Sequence, residues 1–105
     1  MFTHHVFFWL KDGITQEEIS KFETGVKSLL EVEHVVSAHI GKPASTDRPV
    51  IDRTYSYSLL LIFGDKAGHD AYQPHPIHKK FIEDCSSLWT RVLIYDSETI
   101  EGGQK

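Results

Sequence analysis

Two segments of this chain carry more apolar side chain than one face of a sheet can hide. Phe2 to Leu10 (FTHHVFFWL) is rich in aromatic and β-branched residues and stops at Lys11-Asp12-Gly13, the pattern of a strand followed by a turn. Alternation places Phe2, His4, Val6, Phe8 and Leu10 on one face and Thr3, His5, Phe7 and Trp9 on the other, so both faces are apolar. Thr54 to Phe63 (TYSYSLLLIF) alternates in its first half and is unbroken apolar from Leu59 onward, which marks burial on both sides. A sheet built on these strands needs cover on both faces.

The remaining segments set the architecture. Thr15 with Glu18 three residues on is a capping-box pair that opens a helix from Gln16 to Leu30, whose Ile19, Phe22, Val26, Leu29 and Leu30 fall in one arc. Gly25 in mid-helix is locally unfavourable and points to the close approach of a neighbouring element. His34 to Lys42 reads as a second strand, Pro43 to Arg53 as a long polar surface loop, and Leu88 to Tyr95 as the last strand. A single domain over residues 1–96 is expected, with Ser97 to Lys105 as a loose tail. The order βαββαβ is the ferredoxin-like α+β pattern, a four-stranded antiparallel sheet with its helices on one face. Helices then leave the second sheet face bare, and a second copy packing sheet against sheet is the economical cover, a homodimeric α/β barrel. Phe7 and Leu61 are the expected interface positions, and His5, Phe7 and Trp9 line the space between the sheets.

The stretch Tyr72-Gln73-Pro74-His75-Pro76-Ile77-His78 holds the only tight cluster of groups suited to acid–base work at neutral pH. Each proline fixes its own φ and pushes the preceding residue out of the helical region, so a short helix over Lys66 to Tyr72 must end and a second restart at Pro76. With Pro76 at the first helical position, His75 becomes the N-cap and His78 the third residue, near the positive end of the helix dipole. That placement disfavours an imidazolium and predicts a neutral His78 able to accept a proton. Two readings stand side by side: Tyr72 and His78 as packed residues with satisfied polar tips, or as a functional pair across a rigid corner.

Composition excludes several classes. The formal net charge of −4 over 105 residues gives no electrostatic case for nucleic acid or an anionic membrane surface. No window approaches the roughly 18 apolar residues of a membrane span, and His4 and His5 sit where a secretory apolar run would begin, so a cytoplasmic protein is expected. Cys85 is the only cysteine and lies on an apolar helix arc, a structural position. There is no Gly-rich phosphate loop or dinucleotide fingerprint, and no cofactor is expected. His75 and His78 at i, i+3 raise metal binding as a third class, but no third ligand follows at a recognisable spacing, and no metal residues are assigned.

With these residues in place the chain resembles the stress-responsive A/B-barrel domain family, the Dabb or dimeric α/β-barrel proteins. The likeness covers Thr3 to Asp96 and rests on His5-Val6-Phe7-Phe8-Trp9-Leu10-Lys11-Asp12, on Val35 to Gly41, and above all on Tyr72-x-x-His75-Pro76-x-His78-x-x-Phe81. It implies the dimeric barrel and a pocket in each subunit, without one fixed activity. The chain is also similar to plant polyketide cyclases of that family at His5, Tyr72, His75, His78 and Trp89. In those enzymes a Tyr–His pair at the positions of Tyr72 and His78 carries a cofactor-free aldol cyclisation; the chain departs from them at Tyr57 and Val26. The resulting expectation is a dimeric stress-responsive protein that binds a small, largely apolar or aromatic molecule in a pocket ringed by His5, Tyr57, Tyr72, His78 and Trp89. The alternatives are a cofactor-independent cyclase-like enzyme with His78 as base and Tyr72 as acid, and a metal-binding or purely structural dimer module.

Overall fold

Backbone pairing begins with the first strand. β1 (Phe2–Leu10) lies in the middle of the sheet, hydrogen-bonded to β3 (Tyr57–Phe63) on one side and β4 (Trp89–Glu98) on the other, and β2 (Val35–Gly41) completes the order β2-β3-β1-β4. All three pairings are antiparallel. This is the ferredoxin-like α+β fold, given by a computed structural model that describes residues 1–102. Three helices join the strands: α1 (Gln16–Ser28), α2 (Lys66–Tyr72) and α3 (Pro76–Cys85).

The capping box is formed. The Glu18 N–H donates to Thr15 Oγ1 at 3.1 Å and the Thr15 N–H donates to Glu18 Oε1 at 3.0 Å, which satisfies two helix-end donors reciprocally. Lys11 Nζ adds an ion pair to Glu18 Oε2 at 2.7 Å, and these bonds hold the Glu18 carboxyl down at about 2. α1 gives way at Ser28 to a 3₁₀ turn over Leu29–Glu31, and α3 to a second over Ser86–Leu88, so both helices stop slightly short of the periodic apolar pattern. The close approach expected at Gly25 is real. A Cβ built there would lie 2.7 Å from Cys85 Sγ and 3.1 Å from a Phe81 ring carbon, so α1 and α3 pack where only glycine fits.

Two strand boundaries differ from expectation by more than one residue. Thr54 to Ser56 precedes β3 because the Thr54 N–H and hydroxyl both donate to Asp52 Oδ1, at 2.8 and 2.6 Å, and fix a local turn there. β4 runs past Asp96 to Glu98, since the Phe2 end of β1 offers a second edge; Phe2 opposes Glu98, and the Thr99 N–H donates to Met1 O at 2.9 Å. Of the tail expected over Ser97 to Lys105, residues 103–105 lie outside the described residues.

The helices cover the face that carries Phe2, Val6, Phe8, Leu59, Leu61 and Phe63, all buried. Leu61 is 0% exposed beneath them, and this corrects its expected place on the open face: the residues there are Leu60 and Ile62, which pair with His5 and Thr3. Among the described residues no element covers the side chains of His5, Phe7, Leu60, Ile62, Leu93 and Tyr95.

Candidate functional site

The Pro-His-Pro corner breaks the helix at His75 as expected, whereas Gln73, before Pro74 and expected to be extended as well, keeps helical angles (φ −57°, ψ −46°) as the cap of α2. His75 is extended (φ −62°, ψ 138°) and caps α3, its Nδ1 accepting the Ile77 N–H at 3.1 Å with Pro76 at the first position. Since that nitrogen accepts, His75 Nε2 carries the proton and donates to Glu33 Oε2 at 3.1 Å. His75 is therefore a structural clasp between α3 and the end of the α1 connection. It holds the corner.

One turn further on, His78 Nδ1 donates to the Gln73 carbonyl at 3.0 Å, which leaves Nε2 with its lone pair. Burial lowers the His78 pKa first of all, with the nearby His4 acting in the same sense and the Gln73 bond opposing, so the ring is neutral at pH 7. The expected neutral state holds, with desolvation as its leading cause.

The last residue of α2 faces this imidazole. The Tyr72 ring centroid lies 4.6 Å from that of His78 and 5.9 Å from that of His4. Burial alone raises the Tyr72 pKa well above the ordinary phenol value, so its hydroxyl stays protonated. The residue is 2% exposed, and no hydrogen-bond partner for its hydroxyl occurs among the described residues. Every fully enclosed side-chain N or O atom of the unexposed residues there does have a partner, so the Tyr72 hydroxyl is not fully enclosed. A donor and a neutral acceptor thus sit side by side in largely apolar surroundings.

His4 was not singled out by the sequence. It is 3% exposed, and its Nδ1 donates to Asp96 Oδ1 at 2.6 Å. Desolvation lowers its pKa against the opposing pull of Asp96. His69 of α2 lies 4.9 Å away, ring centroid to centroid. Alternation did place it opposite His5, under the helices, which the structure bears out; its partners Asp96 and Tyr72 carried no signal in the sequence.

The remaining expected pocket residues do not join this group. His5 lies on the open face, its ring 4.4 Å from that of Phe7, so the sheet separates it from Tyr72 and His78. Trp9 is on the same open face, its Nε1–H donating to Thr54 Oγ1 at 2.9 Å and its ring 4.2 Å from the Arg91 guanidinium. Phe7 and Trp9 share a small hollow of about 180 Å³ with Tyr55, Leu93 and Tyr95. Tyr57 points toward the helices and its hydroxyl donates to Glu23; burial first, and then that bond, push its pKa up to about 12. Trp89 stacks on Phe81 with centroids 5.6 Å apart and meets Phe8, in the core beside α3. A single ring of His5, Tyr57, Tyr72, His78 and Trp89 is not formed within one chain. The structure puts His4 beside Tyr72 where His5 was expected.

Comparison with known proteins places the chain. The Stress responsive A/B Barrel Domain family matches residues 2–99, and the chain belongs to it. No curated protein matches. Among solved structures, an Arabidopsis thaliana protein superposes with a TM-score of 0.80 at 23% identity, over 99% of this chain and 100% of the other. A hydroxynitrile lyase from Passiflora edulis superposes with a TM-score of 0.78 at 15% identity, over 98% and 96% of the two chains. A dimeric ferredoxin-like protein of unknown function from Thermobifida fusca gives 0.75 at 16% identity, over 93% and 90%. At these identities the likeness establishes the fold. Among the described residues no helix is long and apolar enough to cross a membrane.

Proposed function

We propose that this protein is a homodimer in which each subunit binds a small, largely apolar or aromatic molecule bearing one polar oxygen, held between Tyr72 and His78. The observation that carries the reading is the Tyr72 hydroxyl: a protonated donor on a buried residue, without a partner among the described residues, beside a neutral imidazole. Sites that fix orientation with a few polar groups in apolar surroundings are the usual form of small-molecule pockets. Dimerisation is supported by the uncovered apolar sheet face and by the dimeric relative from Thermobifida fusca.

A second reading, cofactor-free acid–base catalysis on the same pair, is favoured by their complementary states. His78 Nε2 is placed to take a proton from carbon next to a carbonyl, the C–H electron pair passing into the enolate. Tyr72 O–H stabilises the oxygen on which that charge collects. Acid–base help of this kind contributes about 10²- to 10⁴-fold in rate.

Titration calorimetry with a phenolic ketone such as 2,4-dihydroxyacetophenone, on wild type, Tyr72→Phe and His78→Ala, tests the binding reading. Loss of one hydrogen bond of about 0.5–1.5 kcal/mol corresponds to about 2- to 12-fold weaker binding for Tyr72→Phe, with an unchanged melting temperature. Variants that melt lower yet bind the probe as wild type does would return both residues to a packing role.

A further inference from the structure

The sequence offers no third metal ligand beside His75 and His78, but the fold assembles a different set. We propose that His4 Nδ1, His69 Nε2 and a carboxylate oxygen of Asp96 form a binding site for a divalent transition-metal ion of the zinc type. Among the described residues this is a group of three side chains whose ligand atoms all lie within 4.8 Å of one another. They come from β1, α2 and β4, so the fold and not local sequence brings them together.

The distances fit. Zinc holds imidazole nitrogen at about 2.0–2.1 Å and carboxylate oxygen at about 2.0–2.2 Å, which in a tetrahedron separates the ligand atoms by about 3.3 Å. His4 Nδ1 lies 2.6 Å from Asp96 Oδ1 and His69 Nε2 lies 3.9 Å from the other carboxylate oxygen, Oδ2, so the carboxylate stands between the two imidazoles. With the ligand atoms up to 4.8 Å apart, an ion placed among them draws the widest pair together by up to about 1.5 Å through side-chain movement.

The surrounding groups are those a metal-bound histidine requires. The Nδ1–H of His69 donates to Asp70 Oδ1 at 3.2 Å, which puts the lone pair on Nε2, the atom that faces Asp96; that lone pair accepts an N–H of Gln73 Nε2 at 3.3 Å, a bond the ion would replace. Asp70 is in turn held by Lys66 Nζ at 2.7 Å, and the His69 ring stacks on Phe2 with centroids 4.4 Å apart. This carboxylate–histidine arrangement orients ligands at metal centres. At His4 the ion takes the place of the proton now shared with Asp96, and that proton moves to Nε2. His69, Asp70 and Asp96 border an open cleft of about 380 Å³, so a fourth position remains for water or a small anion.

The test uses protein purified without a histidine tag and stripped with chelator. Equilibrium dialysis against micromolar zinc chloride is expected to leave one zinc per subunit, and cobalt(II) in its place should show the visible bands of a tetrahedral site. His69→Ala and Asp96→Asn are each expected to abolish both signals, and Asp70→Asn to weaken binding by about 10- to 100-fold. His75→Ala should bind as wild type does, since His75 and Glu33 lie outside the group. Asp96 is half-exposed at an edge strand, so Asp96→Asn decides the matter should His69→Ala fold poorly. Stripped wild type that takes up no zinc, or zinc retained by Asp96→Asn and lost from His75→Ala, overturns the assignment.

Discussion

Replacing Gly25 with alanine sets two physical effects against each other at one atom. In an exposed helix interior Gly→Ala stabilises by about 0.8–1.0 kcal/mol, because glycine loses the most backbone freedom on folding. Here the new methyl would sit 2.7 Å from Cys85 Sγ and 3.1 Å from Phe81, whereas ordinary contacts are at about 3.5–4.0 Å. Neither neighbour can yield easily: Cys85 is 0% exposed, and Phe81 is wedged among Phe8, Phe22 and Trp89. α1 and α3 must therefore separate by several tenths of an ångström or more, and overpacking of that kind costs about 1–3 kcal/mol. The net expectation is a loss of about 1 kcal/mol.

A double-mutant cycle isolates the contact. Cys85→Ala removes the sulfur and alone costs stability through the small cavity it leaves, but it opens the space the new methyl needs. The two changes should thus be less harmful together than their sum, with a coupling of about 1–2 kcal/mol. Urea unfolding followed by circular dichroism at one fixed protein concentration measures all four proteins, since the stability of the proposed dimer would depend on concentration. A Gly25→Ala protein about 1 kcal/mol more stable than wild type, with additive effects of Cys85→Ala, would show that propensity outweighs the helix contact and refute the packing argument.

Other outcomes follow from the same structure. Leu60→Asp puts a charge in the middle of the uncovered sheet face, so light scattering should show wild type at twice the 12.0 kDa chain mass and the variant as monomer or unfolded chain; a wild-type monomer at micromolar concentration would contradict the dimer. Thr15→Ala removes the α1 cap and should cost about 1 kcal/mol in the same urea assay, with no effect on binding of the phenolic probe. Because burial lowers the His78 pKa below the ordinary imidazole value near 6.5, the unfolded chain binds the extra proton first as pH falls. The contribution of His78 to stability is therefore full above about 6.5 and declines as pH drops from there toward its lowered value. His78→Gln should flatten that part of the stability profile, and an unchanged slope would remove His78 as its source.

Element order, both helix starts and the broken corner were legible in the sequence because their causes are local. The Thr15–Glu18 box, Pro76 at a first helical position with His75 before it, and the alternation of β1 all act within a few residues, where spacing fixes geometry. Even the tight spot at Gly25 was announced by a residue that is costly unless something comes close.

Which of two neighbouring histidines meets Tyr72 was decided only by the tertiary structure. Alternation put His4 and His5 on opposite faces of β1, with His4 under the helices, but did not say which of them approaches Tyr72; α2 and α3 settle it by covering the face of Phe2, Val6 and Phe8. The same covering turns Leu61 and Tyr57 inward, leaves Leu60 outside, and puts the sheet between His5 and the Tyr72–His78 pair. His4 and Asp96 are 92 residues apart and meet because β4 pairs antiparallel with β1 in a register that sets them opposite each other. No short-range pattern carries that register. It is fixed by the hydrogen-bond ladder and the packed core as a whole, so the candidate metal group could be seen only once the chain was folded.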